Sequence, residues 1–460
     1  MGLTSILGVS QTAMLAQAQG IDIAGQNVSN ASTPGYVKRS LVLQTRSDPG
    51  APQGGVFAGG VTRSWDSFAH QRMVTENGRH GAANARSDAL ASVESLIAPG
   101  TGMAISDRAN AFFTAWSALA TNPSDATSRA NVLAKAQDLA QSISSTAAGL
   151  SQQRSDLLQE AQGVAGELNE RLTKIAALNE KIANAQALGD TAPDLRDQRS
   201  QLVKEVGERM DVKSIEDATG KVTLLSSGSV LVDGKAASKV DVGLSQDGNL
   251  AISLKRPSGQ TVDVTNALTS GTLGGLREAR DSDIPALQKK LDQTAYDLAN
   301  AVNTVHSGAY GLDGQTGRPL FKPPAQVAGA AYTMAVDASV AGKPSALAAS
   351  STAGGVPGGA DAALALSQLA SQPLAGTGQP PAESFVNIAA DVGTRKSAAD
   401  AEVAFRETTL GQADNLLQSS AGVSVDEEMM NLTRYQRAFE ASMRVVKTVD
   451  ELLSNVIKDL

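Results

Sequence analysis

Cysteine is absent from the 460-residue chain, which removes disulfide scaffolds, thiolate zinc sites, iron–sulfur clusters and cysteine nucleophiles together. Aromatic residues are scarce, at 3 %, leaving few platforms on which bases or sugars stack. Basic residues are outnumbered, 39 Lys and Arg against 47 Asp and Glu, for a formal charge of −8. Neutralising phosphates needs a dominant basic surface, so no nucleic-acid partner is expected. No stretch approaches the roughly 20 mainly apolar residues of a membrane span, and no membrane insertion is expected. The opening segment has no charge before Asp22, yet it lacks the basic start and unbroken apolar run of a secretion signal, because Thr4, Ser5, Ser10, Gln11 and Gln17 interrupt it. Export, where it occurs, is expected to use a route that reads no cleaved signal.

Motifs for chemistry are equally missing. His70, His80 and His306 lack metal-ligand spacing and read as solvated side chains. Asp313-Gly314-Gln315-Thr316-Gly317 opens like a calcium loop, but Pro324 stands where the closing carboxylate belongs. Neither a phosphate loop nor a GxSxG elbow occurs. The expectation is a non-enzyme with no metal and no cofactor. Lys38, Arg39 and Arg46 read as a solvated strand face.

What the chain does have is periodicity. Spacing of three and four from Leu3 runs through Leu7, Ser10, Met14, Gln17, Ile21, Ala24 and Val28, an amphipathic helix with a narrow seam. It stops in the turn-rich Asn27 to Tyr36, where Pro34 presets φ and Gly35 takes a positive one. At the other end Ser424 and Glu427 have capping-box spacing, and the acidic Asp426, Glu427 and Glu428 suit the positive end of a helix dipole. Leu432, Tyr435, Phe439, Ser442, Val446, Val449, Leu453, Val456 and Leu460 then repeat at three and four. Such a helix is about 50 Å long and barely offsets its own ordering entropy unless it finds a partner. The two terminal helices are therefore expected to pair with each other and with neighbouring copies.

The interior changes pattern several times. Val37 to Trp65 reads as an extended arm or hairpin, and helices fill most of Asp66 to Met210. Residues 211–275 break into short apolar runs punctuated by Gly, Asp-Gly and Pro-Ser-Gly, a small β domain. Residues 307–383 are rich in Gly, Ala and Pro with weak period, and 350–360 reads as mobile loop. The fold class expected is mainly α with an inserted β domain: terminal helices forming a coiled coil, a central helical bundle domain and a small β-rich outer domain. The domains expected are 1–35 with 420–460 for assembly, 36–210 with 276–419 for the helical middle including a flexible segment near 325–383, and 211–275 for the β-rich insert.

Four segments carry a resemblance. Ala24 to Tyr36, AGQNVSNASTPGY, resembles the NNxSNxxTPGY signature of flagellar rod, hook and junction proteins, and Val425 to Ala441 resembles their VDEExxNLxxYQxAYxA tail. Asp194 to Leu202 is similar to DLLDQRDxL, and Gly274 to Asp281 to GGLLxxRD. Together these resemble the flagellar hook-associated protein 1 family, junction proteins between hook and filament, with hook or distal-rod axial protein as the alternative. Gly25, Val37-Lys38-Arg39 and Phe439 depart from the usual pattern.

The resemblance implies a structural, extracellular flagellar subunit, exported unfolded through the type III channel and assembled as a homo-oligomeric helical layer. It implies hook protein on one side, the second junction protein (hook-associated protein 3) on the other, and an export chaperone on the C-terminal helix. Assembly is expected to rest on Leu3, Leu7, Met14, Ile21 and Val28; on Asn27, Asn30, Pro34, Gly35 and Tyr36; and on Leu432, Tyr435, Phe439, Val446, Val449, Leu453 and Val456.

Overall fold

The computed structural model describes residues 2–45, 55–97, 104–217 and 219–458. The expected Arg46 lies outside the described residues. The chain is mainly helical and nested. Helix α1 (Leu3–Ser29) pairs with the last helix, α10 (Val425–Lys458), and α2 (Ser67–Ile97) pairs with the one before it, α9 (Pro381–Ala421). Between α1 and α2 the expected arm is an antiparallel hairpin, β1 (Arg39–Thr45) with β2 (Val56–Arg63), in register from Arg39 opposite Arg63 to Thr45 opposite Val56.

The spine is α4 (Ala126–Ala187), 62 residues and about 90 Å long at 1.5 Å per residue. It begins where Asp125 accepts from the Ser128 amide at 2.7 Å. Its stripe of Leu150, Leu157, Leu168, Leu172, Ile175 and Ile182 is buried throughout. The first half packs against α3 (Ile105–Thr121), whose Phe112, Phe113 and Trp116 form edge-on contacts with centroids 5.0 and 6.3 Å apart. The second half carries the inserted sheets: β3 to β6 (Lys213–Glu216, Val222–Ser226, Ser229–Asp233, Ala236–Ala237) and β7 to β9 (Lys239–Leu244, Leu250–Lys255, Thr261–Asp263). Two helix asparagines act as substitute strand partners. Asn169 takes the Val240 amide at 2.7 Å and gives to its carbonyl at 2.9 Å, and Asn179 does the same for Val222 at 3.1 and 2.8 Å. Helix α5 (Pro193–Arg209) precedes the sheets; α6 (Gly271–Glu278), a π turn (Ala279–Asp283) and α7 (Ile284–Ser307) follow them.

Three expectations need correction. Most of residues 325–383 is laid onto the body, with Ala331, Val340, Leu347 and Ala349 buried and a short helix, α8, at Asp361–Gln368, while 351–354 within them are exposed. Helix α7 supplies side-chain hydrogen bonds to the backbone of the coil that follows it, residues 308–383. Asn303 accepts from the Leu320 and Phe321 amides at 2.9 Å each and gives to the Phe321 carbonyl at 2.8 Å, while Asp292 accepts from Gly329 and Ala331. His306 is fully buried rather than solvated: Nδ1 gives to the Arg318 carbonyl at 2.7 Å and Nε2 takes the Ala348 amide at 3.0 Å. Burial holds it neutral, pushing its pKa down to about 4, and burial does the same to His70. Lys38 and Arg39 are not a solvated face; both are paired, as described next.

Candidate functional site

The two ends of the chain meet side by side. Asn27 lies beside Glu428, and Gly20 lies against the ring of Tyr435, so moving seven residues back along α1 moves seven forward along α10. The helices are antiparallel. The face of α1 buried in this pair consists of Ser10, Ala16, Gly20, Ala24 and Asn27, with Ile23 beside them. Of the expected seam, Ser10 and Ala24 are buried and Leu3, Leu7, Met14, Ile21 and Val28 half-buried, while Ala16 and Gly20 are buried positions the three-and-four period did not pick. Small residues let the backbones approach. A Cβ added to Gly20 would sit 2.8 Å from the Tyr435 ring, closer than carbon atoms tolerate. On α10, Leu432, Tyr435, Phe439, Val446 and Leu453 are half-buried and Val449 is buried; the side chain of Val456 lies outside the described residues.

Asn27 is completely buried and uses every hydrogen-bonding position it has. Its Nδ2 gives to the Arg39 carbonyl at 2.8 Å and to Glu428 Oε2 at 3.0 Å. Its Oδ1 accepts from the Tyr36 hydroxyl at 2.8 Å and from the Arg39 amide at 3.1 Å. One side chain thus ties together the first helix, the turn after it, the first strand and the last helix. The turn reverses the chain through Gly35, at φ +80°, which a residue with a Cβ rarely adopts. Pro34 and Gly35 are exposed on it, and Asn30 gives to the Gln26 carbonyl at its entrance. Glu428, nearly buried, also lies 3.6 Å from Lys38, whose ammonium pairs with Glu427. The Ser424 hydroxyl meets the Glu427 amide at 3.4 Å, half of the expected capping box. The Glu427 carboxylate turns to Lys38 instead of back to the cap, and that bond holds it below the usual carboxylate range.

A ladder of alternating charge joins this joint to the body. The Arg39 guanidinium lies 4.8 Å over the Tyr36 ring and pairs with Asp194 and, at 3.3 Å, with Asp197 of α5. Arg63 at the end of β2 stacks 4.7 Å from Trp65 and touches Asp197 Oδ1 at 2.6 Å, an ion contact whose angles are not those of a hydrogen bond. Burial pushes the Asp197 carboxyl up, against the pull of Arg63 and Arg39, and burial lowers Arg63. The ladder is desolvated, so each charge depends on its neighbours. Cavities of about 820 and 200 Å³ flank the turn, the larger against Lys174, Lys181 and Gln201, the smaller against Trp65, His70 and Gln418.

The arrangement offers oriented hydrogen bonds and ion pairs between distant segments. Among the described residues no group of His, Asp or Glu is placed to hold a metal, and no helix is long and apolar enough to cross a membrane. Of the expected turn residues, Asn27, Tyr36 and Gly35 come together here. Sequence reading missed Gly20, Glu428, Asp197 and Arg63 as members. Asp197 and Glu428 stood inside the segments that carried the resemblance, and Lys38 and Arg39 stood directly after the turn, so membership of those segments was the available signal.

Residues 90–321 match the family model described as the flagellar hook-associated protein FlgK helical domain, and residues 416–459 match the flagellar basal body rod FlgEFG protein C-terminal model. A flagellar hook-associated protein 1 of Bacillus subtilis is 24 % identical over 99 % of this chain and 98 % of its own length. One of Salmonella typhimurium is 25 % identical over 69 % of this chain and 59 % of its own length, so the chain spans well under two thirds of that relative. A solved structure of the flagellar hook junction protein FlgK from Burkholderia pseudomallei superposes with a TM-score of 0.67, at 16 % identity, covering 76 % of this chain and all of that one.

Proposed function

Because the chain belongs to the flagellar hook-associated protein FlgK family, whose helical-domain model spans half of it, we propose that it is a structural junction subunit between hook and filament. The observation that carries the reading is the antiparallel α1/α10 pair, clasped at Asn27 and joined to the body by the Arg39–Asp197–Arg63 ladder. The pair leaves apolar side chains facing outward: Leu15 and Met430 are each 66 % exposed, with Met429, Met443 and Leu452 about half exposed. Unpartnered apolar surface of that extent fits packing against neighbouring copies in a helical layer. The hook protein on one side and the second junction protein on the other complete the arrangement, and an export chaperone covers α10 before assembly.

A shared tail supports hook or rod proteins equally, but the match over 90–321 to a helical-domain model favours the junction subunit. No catalysis is assigned. The test is to place Leu453→Asp in the flagellated host and shear the flagella. The native protein is expected in the sheared fraction, and the variant is expected to be depleted there while the purified body unfolds at the native midpoint. Recovery of the native protein only from the cytosol, or of the variant in flagella at native amount, overturns the proposal.

A further inference from the structure

We infer that the Asn27–Glu428 clasp sets the register of the α1/α10 pair, a task its apolar seam cannot perform alone. The seam on α10 repeats with a period of seven: Leu432 and Phe439, Phe439 and Val446, Ser442 and Val449, Val446 and Leu453 stand seven apart. Opposite them α1 presents Ala16, Gly20 and Ala24. Sliding α10 by seven residues sets most apolar positions against apolar positions again and exchanges the close Tyr435–Gly20 contact for Tyr435 against Asn27 or Ala13, so the seam distinguishes neighbouring registers at that one contact only.

The clasp does not tolerate the slide. In the native register contacting residue numbers sum to 455, as in Asn27 with Glu428 and Gly20 with Tyr435. A slide one way sets Asn27 against Tyr435; the other way sets the Glu428 carboxylate against Gly20, which has no side chain to answer it. Either slide leaves Asn27, at 0 % exposure, short of an acceptor, and parts Glu428 from Lys38. A single buried amide fixing the register of a helix pair is the best-attested use of a buried polar group. The inference deepens the proposed function and rests on it for its consequence. Copies pack against an outer surface made by both helices, and a seven-residue slide would misplace those faces by about 10 Å.

The absence of cysteine makes a direct test possible. Ala13→Cys with Ser442→Cys reports the native register, since these numbers sum to 455. Ala13→Cys with Val449→Cys and Ile6→Cys with Ser442→Cys report the two slid registers. In the full chain only the first pair is expected to crosslink on oxidation. With Glu428→Ala added, the ratio of native to slid crosslinks is expected to fall about tenfold or more. Glu428→Gln, which keeps an acceptor for Asn27, is expected to stay native.

Two results overturn the inference: exclusively native crosslinks in Glu428→Ala, or loss of every crosslink while the body still unfolds at its native midpoint. The second would make the clasp an adhesive rather than a register key. Because the readout is made on the purified chain, its outcome is separate from the presence of the protein in sheared flagella.

Discussion

Replacing Asp197 by Ala should free the hairpin from the body without unfolding the body. Asp197 lies between two guanidinium groups, 3.3 Å from Arg39 and 2.6 Å from Arg63, and both arginine side chains are more than nine-tenths buried. Arg39 keeps Asp194, which is 75 % exposed, whereas Arg63 keeps no other ion pair among the described residues. Removing one member of a buried pair costs about 3–5 kcal/mol, because the other charge stays desolvated. That loss falls where the ladder acts. Amide exchange in β1 and β2 should therefore accelerate about 100-fold or more, one tenfold step per 1.36 kcal/mol, while α3 and α4 keep their protection. The double variant Asp197→Leu with Arg63→Met removes both charges at once and should return most of the protection, since an apolar pair of similar volume avoids the desolvation penalty. The reasoning is refuted if Asp197→Ala changes exchange in the hairpin less than about fivefold, equivalent to roughly 1 kcal/mol. It is also refuted if α3 and α4 lose protection to the same degree as the hairpin.

Two further outcomes test the body. Asn303→Ala removes three hydrogen bonds of 2.8 to 2.9 Å to the backbone of Leu320 and Phe321 and leaves buried polar groups unmatched, so urea unfolding should show a loss of about 3 kcal/mol; a loss under about 1 kcal/mol would mean the coil after α7 is not held by that helix. His306 and His70, both lowered to about 4, bind a proton in the unfolded chain near pH 6.5 but not in the folded one until about pH 4. Their contribution is present above pH 6.5 and is lost as pH falls through that window, by up to about 3 kcal/mol each. A melting midpoint in His306→Gln with the same pH dependence as the native chain between pH 6.5 and 4 would contradict this.

The parts legible in the sequence are those whose information is local. A three-and-four period gives α1, α4 and α10, Pro193 at the first turn gives the start of α5, and alternating short runs between Gly turns give the sheets. Where the sequence misleads, the deciding contact is remote. Hydrophobicity points to Leu3, Leu7 and Met14 as the inner face of α1, but the partner is a helix carrying Tyr435 and Phe439, and bulky side chains on one helix call for small ones on the other. The Gly-, Ala- and Pro-rich residues 307–383 look unstructured because partners of their backbone, Asp292, Asn303 and His306, sit on a helix that precedes them. Glu428 stands 401 residues from Asn27, and nothing in its neighbourhood distinguishes it from Glu427, which is exposed.

The segments that carry the resemblance take on a physical meaning when their positions are compared. Residues 24–36, 194–202 and 425–441 converge on one joint through Asn27, Tyr36, Asp197 and Glu428. The fourth makes a second node: Arg280 gives to the Arg154 and Gly248 carbonyls, and Asp283, just beyond it, receives Arg86 and Arg395 from α2 and α9. Each is polar at the point where separate helices must keep a fixed relation. An apolar seam holds two helices together but resists sliding poorly, since its contacts are non-directional and repeat every seven residues. A hydrogen bond weakens steeply once its donor and acceptor are misaligned. A part placed between two others that transmit force has to resist sliding as well as separation, and placing the oriented bonds at the joints while the apolar seams fill the spans between them meets both demands.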